Sequence, residues 1–97
     1  MAVLEHALLH VRAGSEGAFE AAAREARPLI EASPGFLSFE IRRPTATGQA
    51  YLLLVKWRSV ADHQRGFRQS DRYQQWRALL HPFYDPMPEV SYFGEPL

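Results

Sequence analysis

Between Val3 and Arg12 the chain alternates between two kinds of position. Val3, Ala7, Leu9 and Val11 fall on one side of an extended segment; Leu4, His6, Leu8 and His10 fall on the other. That period of two predicts a strand. Ala13-Gly14 closes it, Ser15 is placed to cap a helix, and Glu16 suits the positive end of a helix dipole. Phe19, Ala22, Ala23, Ala26, Leu29 and Ile30 then recur at intervals of three and four, which makes one apolar helical stripe. Glu20 and Arg24 face each other across one turn on the other side. Pro28 lies within the pattern, removes a backbone donor and crowds the carbonyl of Arg24, so a kink or an early end is expected there. Ser33-Pro34-Gly35 stops the helix.

A second strand is expected from Phe36 to Arg42, with Leu37, Phe39 and Ile41 on one face. The polar stretch from Pro44 to Gln49 reads as a turn. Tyr51 to Arg58 reads as a third strand, and Leu52 to Val55 are apolar on both faces, as in a central strand. Ser59 and Asp62 make a weak capping box ahead of a helix to about Gln69. Ser70 and Asp71 restart it, with Tyr73, Trp76, Leu79 and Leu80 as its apolar stripe. Pro82, Pro86 and Pro88 predict a loop, and Glu89 to Phe93 a fourth strand. The order β-α-β-β-α-β is that of an α+β, ferredoxin-like plait: a four-stranded antiparallel sheet with both helices on one face. The other face then carries Leu4, Leu8, Leu52 and Leu54 uncovered. Pairing two sheets face to face would bury them, so a homodimer is expected.

The chain of 97 residues predicts a single domain over 1–97, and its 46% hydrophobic content is enough for a core. A formal net charge of zero gives no general attraction for nucleic acid or an anionic membrane. With no cysteine, disulfides, thiolate metal sites and cysteine catalysis are excluded. No apolar run approaches the ~18 residues of a membrane span, and the N-terminal residues lack a signal-peptide pattern, so a cytoplasmic protein is expected.

Three stretches carry a family resemblance: Ser33-Pro34-Gly35-Phe36-Leu37-Ser38-Phe39-Glu40-Ile41, Trp57-Arg58-Ser59 with Ala61-Asp62-His63, and Phe67-Arg68-Gln69-Ser70-Asp71-Arg72-Tyr73. In these the chain resembles the antibiotic biosynthesis monooxygenases, dimeric ferredoxin-like barrels that include small quinol monooxygenases and haem-degrading enzymes. The resemblance implies a pocket within each subunit, between helices and sheet. It aligns Trp57, His63, Tyr73, Trp76 and Arg77 with that pocket. It implies oxidation of a phenol or quinol by dioxygen with no flavin, metal or other cofactor. Leu53 stands where some members carry a polar Asn. Haem binding is not expected, because Ala7 and Trp76 or Arg77 replace the residues of the haem-degrading branch.

The side chains themselves allow two readings at most positions. His63 is either a surface residue on a turn or a pocket base, since imidazole titrates near neutrality. Trp57, Tyr73 and Trp76 are core aromatics that can also wall a flat substrate site. Arg77 could hold a phenolate or carboxylate there. Arg65, Arg68 and Arg72 read as a solvated stripe balanced by Asp62 and Asp71. His6 and His10 are about 13 Å apart on a strand, too far for one metal ion. His81 is expected at the surface. No nucleophile elbow or phosphate-binding glycine loop is present. The expected activity is thus cofactor-free monooxygenation of a small aromatic, with His63 as base, Arg77 as anion stabiliser and Trp57, Tyr73 and Trp76 as walls. The alternatives are a non-catalytic binding domain and an isomerase-like relative on the same barrel.

Overall fold

A computed structural model describes residues 2–97. The elements are β1 (Val3–Leu9), α1 (Glu16–Glu31), β2 (Phe36–Arg42), β3 (Tyr51–Trp57), a π-helical turn (Asp62–Phe67), α2 (Asp71–Leu80), a 3-10 turn (His81–Phe83) and β4 (Ser91–Phe93). The sheet order is β2-β3-β1-β4 with every neighbouring pair antiparallel. This is the α+β ferredoxin-like plait read from the sequence.

The alternation of β1 decides which residues face the helices. Ala7 and Leu9 are buried there with Tyr51, Leu53, Val55 and Trp57 of β3. Phe19, Ala26 and Ile30 of α1, Phe67 of the π-helical turn and Trp76 and Leu80 of α2 close over them. Each large apolar side chain buried this way contributes about 1.5–3 kcal/mol, so this layer holds the fold together. On the opposite face Leu4, Leu52 and Leu54 are only half-buried, while Leu8 is 46% and Phe93 54% exposed.

Several local expectations are corrected. Helix α1 neither stops nor ends early at Pro28; it runs to Glu31, and the N–H of Ala32 bonds the Pro28 carbonyl at 3.1 Å. Pro28 is exposed, so the carbonyl it leaves unpaired can be solvated. Ser15 occupies the N-cap position without a side-chain cap bond, and its own N–H closes a backbone turn on the Arg12 carbonyl just ahead of the helix. Strand β2 is irregular between Phe36 and Ser38, which turns Leu37 out to solvent and away from the half-buried Phe39 and Ile41. Strand β4 starts at Ser91 rather than Glu89.

The segment before α2 also departs from a plain helix. Ser59 Oγ accepts from the Asp62 N–H at 3.1 Å and donates to its carboxylate at 3.0 Å, so the capping interaction is formed. Two further bonds from Arg58 occupy the same carboxylate. Asp62 is therefore committed to Arg58, not to the Arg65–Arg68–Arg72 stripe. The following turn is π-helical, with Arg68 N–H on the His63 carbonyl five residues back. Ser70 then caps α2 by accepting from the Tyr73 N–H at 3.3 Å. Among the described residues, no helix is long and apolar enough to cross a membrane.

Candidate functional site

A cavity of about 620 Å³ lies between the helices and the sheet. Its chemistry begins with Glu5. The residue is in phase with Ala7 and Leu9, so strand geometry carries a carboxylate into the core, where it is 4% exposed. Trp57 Nε1 donates to Glu5 Oε1 at 2.8 Å. Trp57 reaches it because Glu5 pairs with Val55, which makes Trp57 its diagonal neighbour on the same face. His63 Nε2 stands 3.4 Å from the same oxygen, and the other ring nitrogen, Nδ1, hydrogen-bonds the Tyr92 hydroxyl. Tyr92 arrives through direct pairing with Glu5 across β1 and β4.

Burial sets the protonation of this group. It raises the Glu5 carboxyl to about 7, outweighing the Trp57 hydrogen bond and the charge of Arg68, which both favour the ionised form. Burial, reinforced by Arg68, lowers His63 to about 4. Near neutral pH the imidazole is thus uncharged and Glu5 is divided between acid and carboxylate. The two states suit opposite tautomers. Ionised Glu5 favours N–H on Nε2, leaving Nδ1 to accept from Tyr92; protonated Glu5 can donate to Nε2 and leaves N–H on Nδ1. Moving the proton between Glu5 and Nε2 leaves the ring uncharged only when Nδ1 exchanges one with the Tyr92 hydroxyl in the same step.

The walls are apolar and aromatic. Leu9, Ile30 and Leu53 line the sheet and α1 side, and Phe67, Tyr73 and Trp76 the other. Phe67 meets Tyr73 and Trp76 edge to face at 5.4 and 5.7 Å, which fixes the ring planes. Leu53, 6% exposed, presents an apolar side chain to the cavity from the middle of β3. Arg68, Arg77 and His81 bring the basic side chains of the lining, and Met87, Pro88 and Val90 close it from the loop before β4.

Of the residues singled out from sequence, His63, Tyr73, Trp76 and Arg77 come together around this cavity. Trp57 does not line it. The indole is fully enclosed, 5.3 Å from the His63 ring, and its contact with the site is the hydrogen bond to Glu5. His63 is not on a solvated turn but 4% exposed. His81, expected at the surface, is half-buried between Tyr73 and Tyr84, and burial with Arg77 and Arg68 lowers its pKa. Arg68 separates from Arg65 and Arg72 by joining the lining, with its guanidinium 5.7 Å from the Tyr73 ring centre. Sequence reasoning missed Glu5 and Tyr92. The available signal for Glu5 was its parity: it is the one acid among Val3, Ala7, Leu9 and Val11. Among the described residues no three His, Asp or Glu side chains are grouped to hold a metal ion.

A family model for antibiotic biosynthesis monooxygenases matches residues 2–79. The Bacillus subtilis (strain 168) protein YczJ, itself uncharacterised, is 44% identical over 93 residues, covering 96% of this chain and 98% of that protein. A Bordetella bronchiseptica protein assigned to the antibiotic biosynthesis monooxygenases has a crystal structure 33% identical in sequence, with a TM-score of 0.92 over 99% of this chain and 98% of its own. SnoaB of Streptomyces nogalater, a cofactor-independent oxygenase, shares the fold at a TM-score of 0.85 and 16% identity, over 99% of this chain and 94% of its own.

Proposed function

Since this chain belongs to the antibiotic biosynthesis monooxygenase family, we propose that it oxidises a phenolic or quinol substrate with dioxygen, without a cofactor. The observation that carries this reading is the Glu5–His63 pair, buried at the end of an aromatic-walled cavity. A carboxylate that titrates near neutral pH is matched to removing a phenolic proton. Glu5 takes that proton, with His63 beside it to share or pass it on. The resulting phenolate is electron-rich enough to give one electron to dioxygen. Recombination of the radical pair forms a carbon–oxygen bond at a hydrogen-bearing ring carbon ortho or para to the oxygen. Loss of water from that hydroperoxide, with the ring hydrogen and the borrowed proton, leaves a quinone. Phe67, Tyr73 and Trp76 hold the ring flat and keep bulk water out. Relative to the sequence expectation, the base moves from His63 to the acid behind it.

The bare sheet face supports the dimer part of the reading. Leu4, Leu8, Leu52, Leu54 and Phe93 form an apolar surface that a second copy would cover, with the cavity of each subunit on the far side of its own sheet.

Oxygen consumption with a panel of hydroquinones and polycyclic phenols tests the activity. Glu5→Gln and His63→Ala are expected to lower turnover at least ~100-fold, the low end for loss of a general base. Wild-type kcat/KM should rise through about pH 7 as Glu5 ionises, and that limb should vanish in Glu5→Gln. Full turnover in Glu5→Gln overturns the assignment. Leu53 favours a second reading, a non-catalytic binding domain, because strand β3 offers the ligand only an apolar side chain. That reading predicts a raised melting temperature with aromatics and no oxygen uptake.

A further inference from the structure

The cavity is charged asymmetrically. Its closed end holds Glu5 and His63, each 4% exposed, and its exposed lining holds two guanidiniums, Arg68 and Arg77. Of the other arginines, Arg12, Arg24, Arg27, Arg42, Arg43 and Arg58 each stand within ion-pair distance of a carboxylate, while Arg65 and Arg72 lie outside the cavity lining. Among the described residues neither Arg68 nor Arg77 has such a partner. The acids nearest in sequence do not supply one: Asp62 is held by Arg58 and Ser59, Asp85 stands 3.2 Å from Arg12, and Asp71 stands within ion-pair distance of neither. The Arg68 guanidinium and the His81 ring both lie against the Tyr73 ring, 5.7 and 6.2 Å from its centre, and Arg77 stands one helical turn before His81, whose N–H bonds its carbonyl. Tyr73 and His81 thus mark the stretch of the lining to which both guanidiniums belong. Two unneutralised cations beside an aromatic wall form a receptor for a planar anion.

We propose that the substrate is an aromatic hydroxy acid: a fused-ring phenol with a carboxylate on the ring remote from the reacting hydroxyl. The hydroxyl lies at Glu5 and His63, and the carboxylate at Arg68 and Arg77. The volume of about 620 Å³ has room for fused rings, and the apolar walls would face their planes. The charged end fixes direction. Turned around, the molecule would put its carboxylate against Glu5, where two buried anions repel, so only one orientation delivers the hydroxyl to the base.

This inference rests on the proposed role of Glu5 and His63 for the hydroxyl end, but its test does not require turnover. Binding of 6-hydroxy-2-naphthoate and 2-naphthol is compared by calorimetry under nitrogen. The acid is expected to bind at least about tenfold tighter, and raised salt should erode that margin while leaving 2-naphthol little changed. In the Arg68→Gln/Arg77→Gln double variant the ratio should fall to about one, and Arg68→Lys/Arg77→Lys should keep part of it. Equal affinities in the wild type, or a margin that survives the Gln variant, overturn the proposal. Salt dependence in the wild type keeps the test decisive if the Gln variant misfolds. A tenfold margin without oxygen uptake on any quinol supports this substrate class and overturns the oxygenase reading. Uptake on neutral quinols without a margin does the reverse.

Discussion

The two faces of β1 differ in almost every respect, although one short run of backbone builds both. Glu5, Ala7 and Leu9 look into the helix layer, where a carboxylate is stripped of water and its proton affinity rises toward neutrality. Leu4, His6 and Leu8 look the other way onto an open apolar surface, where His6 merely rests edge-on against Phe93 at 5.8 Å. Two titratable residues, an acid and a histidine, thus meet different fates one position apart. Chemistry follows from burial beside a partner, not from residue type alone.

The largest change that could break this contrast is a charge on the open face. Leu54→Glu would bury an unpaired carboxylate in the proposed dimer contact, at a cost of roughly 3–5 kcal/mol. Sedimentation should show the variant as a monomer with its circular dichroism intact. A dimer that persists would mean the contact lies elsewhere.

On the closed face, Glu5→Gln separates stability from catalysis. The folded protein holds the Glu5 proton up to about pH 7, whereas an ordinary carboxyl releases it near 4.5. Between those values the folded state binds more protons than the unfolded one, so this group's contribution falls as pH rises. Gln carries no such ionisation. The variant should therefore gain on the wild type from about pH 5 to pH 8, by up to about 3 kcal/mol. Parallel urea titrations at the two pH values measure it, and a constant difference would show that Glu5 is not desolvated.

A smaller effect tests what aims His63. Gly35 has φ of +85°, and a Cβ there would come 2.3 Å from the Asp62 side chain, one residue before His63. Gly35→Ala should cost about 1–3 kcal/mol, and more of it should appear as lost turnover than a remote change of equal cost would show. Thermal melts and oxygen uptake on the same sample compare the two.

Much of this was legible in the chain. The parity of β1, the Ser59–Asp62 and Ser70 caps and the apolar stripe of α2 are local patterns, so they transfer directly to structure. The features that were not legible depend on tertiary partners. Leu37 leaves its face because β2 must slip past Phe36 to pair with β3. Pro28 is tolerated because its side of α1 is wet. Glu5 looks like an ordinary strand acid until Trp57, Tyr92 and His63 arrive from three other segments. His81 looks like a loop residue until Tyr84 folds back beside it.

The wide turn from Asp62 to Phe67 gives the site an unusual freedom in sequence space. One residue removed there, at exposed Gly66 for example, would restore ordinary helical winding. The chain beyond the deletion would rotate by about 100° relative to the chain before it, swinging Arg68 against His63. The caps at Ser59 and Ser70 bracket that stretch, so β3 before it and α2 after it can keep their seats. A single codon lost there would thus re-aim a pocket cation with no change to the sheet beneath.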